Sequence, residues 1–128
     1  MHALVGTSFV VFELDLIEET ADPAPERALA PSPPDVSLPL LVAADAAGSR
    51  IVAVVARRPP LVLSDDAGLT WREIGGGLPP GRAVALDPEQ PDRVLFASES
   101  RVFLSEDGGR FWRALELELI GITALAFS

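Results

Sequence analysis

Carboxylates are the most numerous side chains able to do chemistry in this sequence, and they fall in three settings. Glu13, Asp15, Glu18, Glu19, Asp22 and Glu26 crowd into fourteen residues; Asp65-Asp66 and Glu106-Asp107 are adjacent pairs 41 residues apart; Asp45 and Asp87 close two similar apolar runs. Paired carboxylates serve acid–base catalysis when their surroundings push their pKa values apart. They hold a hard cation when roughly six to eight oxygens converge. Glu18-Glu19 has no rigid wall in its neighbourhood to desolvate one member. Asp65-Asp66 and Glu106-Asp107 lack the longer alternating series that a calcium cage needs.

The basic side is made of ten Arg and no Lys. Arg57, Arg58, Arg82, Arg93 and Arg101 are available to an anion, although hairpin turns and strand edges are the ordinary places for such charges. His2 is the only His, near a chain end and with no nucleophile to serve, so a Ser-His-Asp site is remote. The absence of Cys removes disulfides and thiolate metal sites. Gly75-Gly76-Gly77 is not followed by Lys-Ser or Lys-Thr and reads as a turn, not a phosphate loop. No catalytic residue, metal ligand or cofactor site is therefore assigned.

A net charge of −9 repels phosphate backbones and anionic lipid, which argues against nucleic acid and membrane partners. The apolar opening Met1 to Val11 lacks a basic leader and a small-residue cleavage site. Neither a signal peptide nor a membrane span is expected, and no compartment is indicated.

These side chains must be positioned by short β-branched runs bounded by Gly, Pro, Asp or Ser. Residues 40–44, 50–56, 60–64 and 71–74 form one series of four; residues 83–87, 93–98, 101–105 and 111–115 form the next. Residues 122–127 begin another. Ala3 to Thr7 and Phe9 to Glu13 read as two further strands. Links of two to nine residues favour an antiparallel meander over βαβ units, which need helical crossovers. Alternation through Glu116-Leu117-Glu118-Leu119 extends the fourth strand towards a turn at Gly121, with a short helix as the competing reading. Asp45 and Asp87 then stand at equivalent first-strand ends.

The strongest signal is a repeat. Ser64-Asp65-Asp66-Ala67-Gly68-Leu69-Thr70-Trp71 returns as Ser105-Glu106-Asp107-Gly108-Gly109-Arg110-Phe111-Trp112, both reading S-x-D-x-G-x-x-W. An Asp in the turn accepts backbone N–H bonds. Gly68 and Gly109 supply positive φ. Trp71 and Trp112 open the returning strand and cover the hairpin. The opening of the chain, laid over residues 94–107, sets Asp15 on Asp107 and looks like an eroded third copy without Ser, Gly or Trp.

The two octets resemble the Asp-box of BNR-repeat β-propellers, the superfamily of sialidases, sortilin-type receptors and photosystem assembly-factor propellers. The resemblance implies a structural role for Ser64, Asp66, Gly68, Thr70, Trp71, Ser105, Asp107, Gly109 and Trp112, in the link between the third and fourth strands of a blade and away from the ligand-binding face. It also implies an all-β, partial propeller of about three antiparallel four-stranded blades. The divisions are a degenerate blade over 1–16, a Pro-rich acidic loop or linker over 17–39, blades over 40–82 and 83–121, and over 122–128 the first strand of a further or closing blade.

Three blades are fewer than the four to eight of closed propellers. The last strand is expected to complete the first blade of the same or a second chain, or else the chain is a piece of a longer propeller. Self-association or missing blades follow from that count. Sialidases resembling this family use a Tyr nucleophile and three Arg, whereas this chain has no Tyr. A non-catalytic module that meets a protein or glycan is the preferred expectation. A fragment of a sialidase-like or xyloglucanase-like glycoside hydrolase, the latter using Asp45 and Asp87, is the alternative.

Overall fold

A computed structural model describes residues 1–29 and 34–128. The described residues form twelve strands and no helix: β1 (His2–Thr7), β2 (Val11–Asp15), β3 (Thr20–Pro23), β4 (Leu41–Ala47), β5 (Arg50–Val55), β6 (Leu61–Ser64), β7 (Arg72–Ile74), β8 (Ala83–Leu86), β9 (Val94–Ala97), β10 (Arg101–Ser105), β11 (Arg113–Glu118) and β12 (Ile122–Phe127). They build three antiparallel four-stranded sheets, with orders β12-β1-β2-β3, β4-β5-β6-β7 and β8-β9-β10-β11. The strand over 116–118 continues β11, and Gly121 turns the chain into β12 at a φ of 77°.

The final strand closes the first sheet of its own chain. β12 lies beside β1 from Ala3 opposite Phe127 to Thr7 opposite Ile122. Of the ways of finishing that sheet, the intrachain one is observed.

Alternation along the strands decides how the sheets meet, because successive side chains point to opposite faces. In the third sheet, Val84, Leu86 and Phe96 face Val52, Val54 and Leu61 of the second. Ala85, Leu95 and Ala97 face Ala3, Val5 and Leu14 of the first. The third sheet therefore lies between the other two. That is why β8 and β9 are buried along their whole length and carry almost no polar residue. β8 touches both β4 and β12, and the three strands line one central cavity of about 180 Å³.

The faces of the first and second sheets that point away from the third need another cover. On the first sheet, Leu29 Cδ2 lies so near Gly6 that a Cβ there would stand 3.3 Å from it. On the second, Ala53, Val55 and Val62 are buried with Leu38, Ala44 and Trp71 packed over them. The described flanks of the Pro-rich segment thus lie on both outer faces; residues 30–33 fall outside the described residues.

Thr20–Pro23 corrects part of the sequence reading. This stretch, inside the expected loop over 17–39, is the fourth strand of the first sheet, pairing from Asp15 opposite Thr20 to Phe12 opposite Pro23. Pro is tolerated because β3 is an edge, where one side of the backbone has no ladder bond to lose.

Candidate functional site

Each octet links the third and fourth strands of its sheet, β6 to β7 and β10 to β11. In the first, Ser64 is buried, donates to Asp66 Oδ1 at 2.7 Å and accepts from the Gly68 amide at 2.8 Å. Asp66 Oδ1 also accepts the Thr70 amide at 2.8 Å, its Oδ2 takes the Thr70 hydroxyl, and the Trp71 indole donates to the Gly68 carbonyl at 3.1 Å. The second octet repeats the set except for the hydroxyl bond, since Phe111 stands in the place of Thr70. Ser105 bonds Asp107 at 2.8 Å and Gly109 at 2.9 Å, Asp107 accepts the Phe111 amide at 3.0 Å, and Trp112 donates to Gly109 O at 3.0 Å. Asp15 preserves the reduced form, accepting the amides of Ile17 and Glu18 at 2.9 and 3.0 Å. In all three turns the Asp Oδ1 holds one or two backbone N–H groups.

Electrostatics follow from those bonds. The Thr70 hydroxyl and amide, with help from Ser64, hold the Asp66 carboxyl down at about 2. The Phe111 amide and Ser105 lower Asp107, and the amides of Glu18 and Ile17 lower Asp15. Bonds from Arg50 and Arg72 lower Asp65. A carboxyl with a depressed folded pKa stabilises the fold above its ordinary value of 3.8 and loses that contribution as pH falls through the folded value. Acid destabilisation from these turns is therefore expected to set in below pH 3.8 and, for Asp66, to finish near 2. Thr70→Val removes the hydroxyl, so the Asp66 pKa read by carboxyl carbon NMR should rise while that of Asp107 stays put.

Gly68 and Gly109 both have positive φ, of 94° and 89°, but only Gly109 is crowded by a neighbouring sheet. A Cβ at Gly109 would lie 2.6 Å from Ile74 Cδ1 on β7, whereas at Gly68 the nearest atom is 3.7 Å away. Both Ala substitutions strain the backbone, and Gly109→Ala also overpacks the contact between sheets. Urea unfolding should show Gly109→Ala losing about 1–3 kcal/mol, and more than Gly68→Ala.

Further carboxylates tie sheet to sheet. Arg50 at the start of β5 donates to Asp65 at 2.7 Å, to Asp92 at 2.9 Å and to the Pro91 carbonyl at 3.0 Å, joining the second sheet to the β8–β9 link. Glu19 accepts from Arg113 at 2.7 Å and from the Glu116 amide at 2.8 Å, joining the first sheet to β11. Asp45 accepts the Leu86 amide at 2.8 Å, between β4 and β8.

Asp45 and Asp87 are not equivalent positions, which corrects the sequence reading. Ile51 opposite Ser64 corresponds to Val94 opposite Ser105, so Ala46, opposite Ile51, corresponds to Leu86. Asp45 thus matches Ala85, and Asp87 matches Ala47. Asp87 accepts the Glu89 amide at 2.9 Å and faces Arg93 at 3.5 Å. Both carboxylates serve local structure.

The end of the sheets opposite the octets has a different character. There the β5–β6 hairpin presents Arg57 and Arg58, and Arg82 precedes β8. Of the five Arg considered from sequence, Arg93 pairs with Asp87 and Arg101 with Glu118 at 3.2 Å. Arg57, Arg58 and Arg82 are exposed and make no ion pair among the described residues. Beside them Leu40, Leu41 and Val42 are 59%, 38% and 45% exposed, an apolar run on the innermost strand and its approach. Val42, Ala56, Arg57, Arg58, Pro80 and Gly81 are among the residues lining a cleft of about 320 Å³, and Val42 also lines the central cavity together with Arg82. Sequence reasoning took residues 40–44 as a strand run without placing them in or out of the core; the first residues of β4 are exposed at an edge of their sheet.

No protein-family model matches the chain, and comparison with curated proteins gives no match.

Proposed function

We propose that this chain is a non-catalytic interaction module built as part of a BNR-repeat β-propeller, its octets being Asp-boxes and its three sheets being blades. The Ser, Gly and Trp hydrogen bonds shared by the two octets, each between third and fourth strands, support the propeller reading. One observation carries the functional part: the end opposite the octets gathers three exposed Arg without carboxylate partners among the described residues beside an exposed apolar run. Unpaired charge beside exposed apolar surface is what a binding face for a protein or glycan requires.

The test is a fluorogenic sialoside and a fluorogenic xyloglucan oligosaccharide offered to the purified chain. Both rates are expected to equal the blank. Turnover abolished by Asp45→Asn or Asp87→Asn would overturn the reading and favour the glycoside hydrolase.

A further inference from the structure

Three consecutive exposed apolar residues are rare at the entry to a strand that lines a protein's centre, and they are tolerated where function uses them. Leu40, the first of them, also has a φ of 60°, a left-handed conformation that a bulky side chain seldom adopts. Its carbonyl accepts the Ala56 amide at 2.9 Å, so this conformation is bonded directly to the base of the Arg57-Arg58 hairpin. That hairpin is itself closed by the Val55 amide on the Pro60 carbonyl at 2.8 Å. Backbone strain held by such bonds marks a place where shape is kept for a purpose. The hairpin and Pro80-Gly81 line one cleft, which shares Val42 with the central cavity that Arg82 also lines.

Charge selects the occupant. The chain carries −9 overall, and Arg27, Arg50, Arg72, Arg93, Arg101 and Arg113 all pair with Asp or Glu. Of the other four, Arg110 lies in the second octet, while Arg57 and Arg58 line the cleft and Arg82 the adjoining cavity, all three with their charge unanswered among the described residues. Guanidinium groups in such a place recognise carboxylates by paired N–H donors. The remainder of an acidic surface repels acidic partners that approach elsewhere, which restricts productive encounters to this end. We infer that the cleft between the Arg57-Arg58 hairpin and Pro80-Gly81 docks an acidic peptide segment of a partner protein, an apolar side chain settling against Val42 while flanking carboxylates meet Arg57, Arg58 and, beside the cleft, Arg82. This rests on the interaction-module reading and adds the ligand class and the residues.

The probe is a fluorescein-labelled peptide of roughly eight residues with Leu and Phe between pairs of Glu, followed by anisotropy against the full chain. It should bind, and binding should weaken roughly tenfold or more between 50 and 500 mM salt, since exposed charge pairs are screened. Arg57→Glu combined with Arg58→Glu should weaken it by a further tenfold or more. Val42→Asp should weaken it comparably. These surface changes should leave the thermal midpoint near that of the parent, and Arg110→Glu, at the octet end, should leave binding unchanged.

Equal binding of a peptide with Gln in place of Glu would overturn the carboxylate assignment. So would unchanged affinity in the double Arg variant. No binding of the probe, or sedimentation showing instead that a second copy occupies the cleft and that Val42→Asp releases it, would overturn the peptide assignment. None of these outcomes touches the interaction-module reading, which falls on glycoside turnover.

Discussion

Truncation after Gly121 is expected to abolish the cooperative melt of this chain. Without β12 the first sheet loses the partner of Ala3 to Thr7, and the core between the first and third sheets loses Ile122 and Leu125, both buried. The remaining β1 becomes an open edge that faces the central cavity, and an unpaired edge is a template for aggregation. Circular dichroism should show a broad transition with little amplitude, and sedimentation should show aggregates. Adding the peptide Ile122–Ser128 in excess should restore the transition, because a strand added in trans recovers the same ladder. A truncated chain that melts sharply on its own would mean that β12 contributes little to the fold.

Phe96→Ala is expected to cost about 3–5 kcal/mol, the range for removing a fully buried aromatic. Phe96 is completely buried on β9 between the second and third sheets. Its ring lies 5.9 Å from Phe103 and 6.1 Å, edge-on, from Trp112, so its loss also removes two aromatic contacts. Gly81 is small because of it: a Cβ at Gly81 would lie 2.4 Å from the Phe96 ring and 2.7 Å from Val54. Collapse of the site is limited by the strands on both sides, which keeps the cavity term large. Equilibrium urea unfolding measures the loss, and a value under about 1 kcal/mol would contradict this contact between sheets.

The octets were legible because the bonds among their Ser, Asp, Gly and Trp are local. Ser64, Asp66, Gly68, Thr70 and Trp71 bond one another within a few residues, so type and spacing alone carry the geometry, and the same holds for Ser105, Asp107, Gly109 and Trp112. β8, β9 and β12 were also readable, being short apolar runs closed by turn residues. β3 was not, since its acidic, Pro-containing sequence is that of a solvated loop and only pairing with β2 makes it a strand. Asp45 and Asp87 were misaligned because two length differences intervene: the β5–β6 hairpin is two residues longer than the β9–β10 hairpin, and the β4–β5 link is three residues shorter than the β8–β9 link, so the offset between the octets does not hold at the first strands.

The candidate site was harder to read than the fold. Arg93 and Arg101 looked the same as Arg57, Arg58 and Arg82 in sequence, and only the positions of Asp87 and Glu118 divide the two groups. Arg50 reaches Asp92 across 42 residues, and Arg113 reaches Glu19 across 94. Such pairings depend on how sheets stack, which no local pattern records. Leu40 to Val42 are exposed for the same reason: their surroundings are set by the place of β4 at an edge of its sheet.

The arrangement as a whole depends on one chain closing its own first sheet. The direct measurement is cross-strand NOEs between β1 and β12 in a sample where labelled chains are diluted into unlabelled ones. Contacts joining Leu4 to Ala126 and Gly6 to Ala124 at undiminished intensity are the predicted result. Contacts that fade on dilution and appear only in isotope-filtered spectra between chains would contradict it.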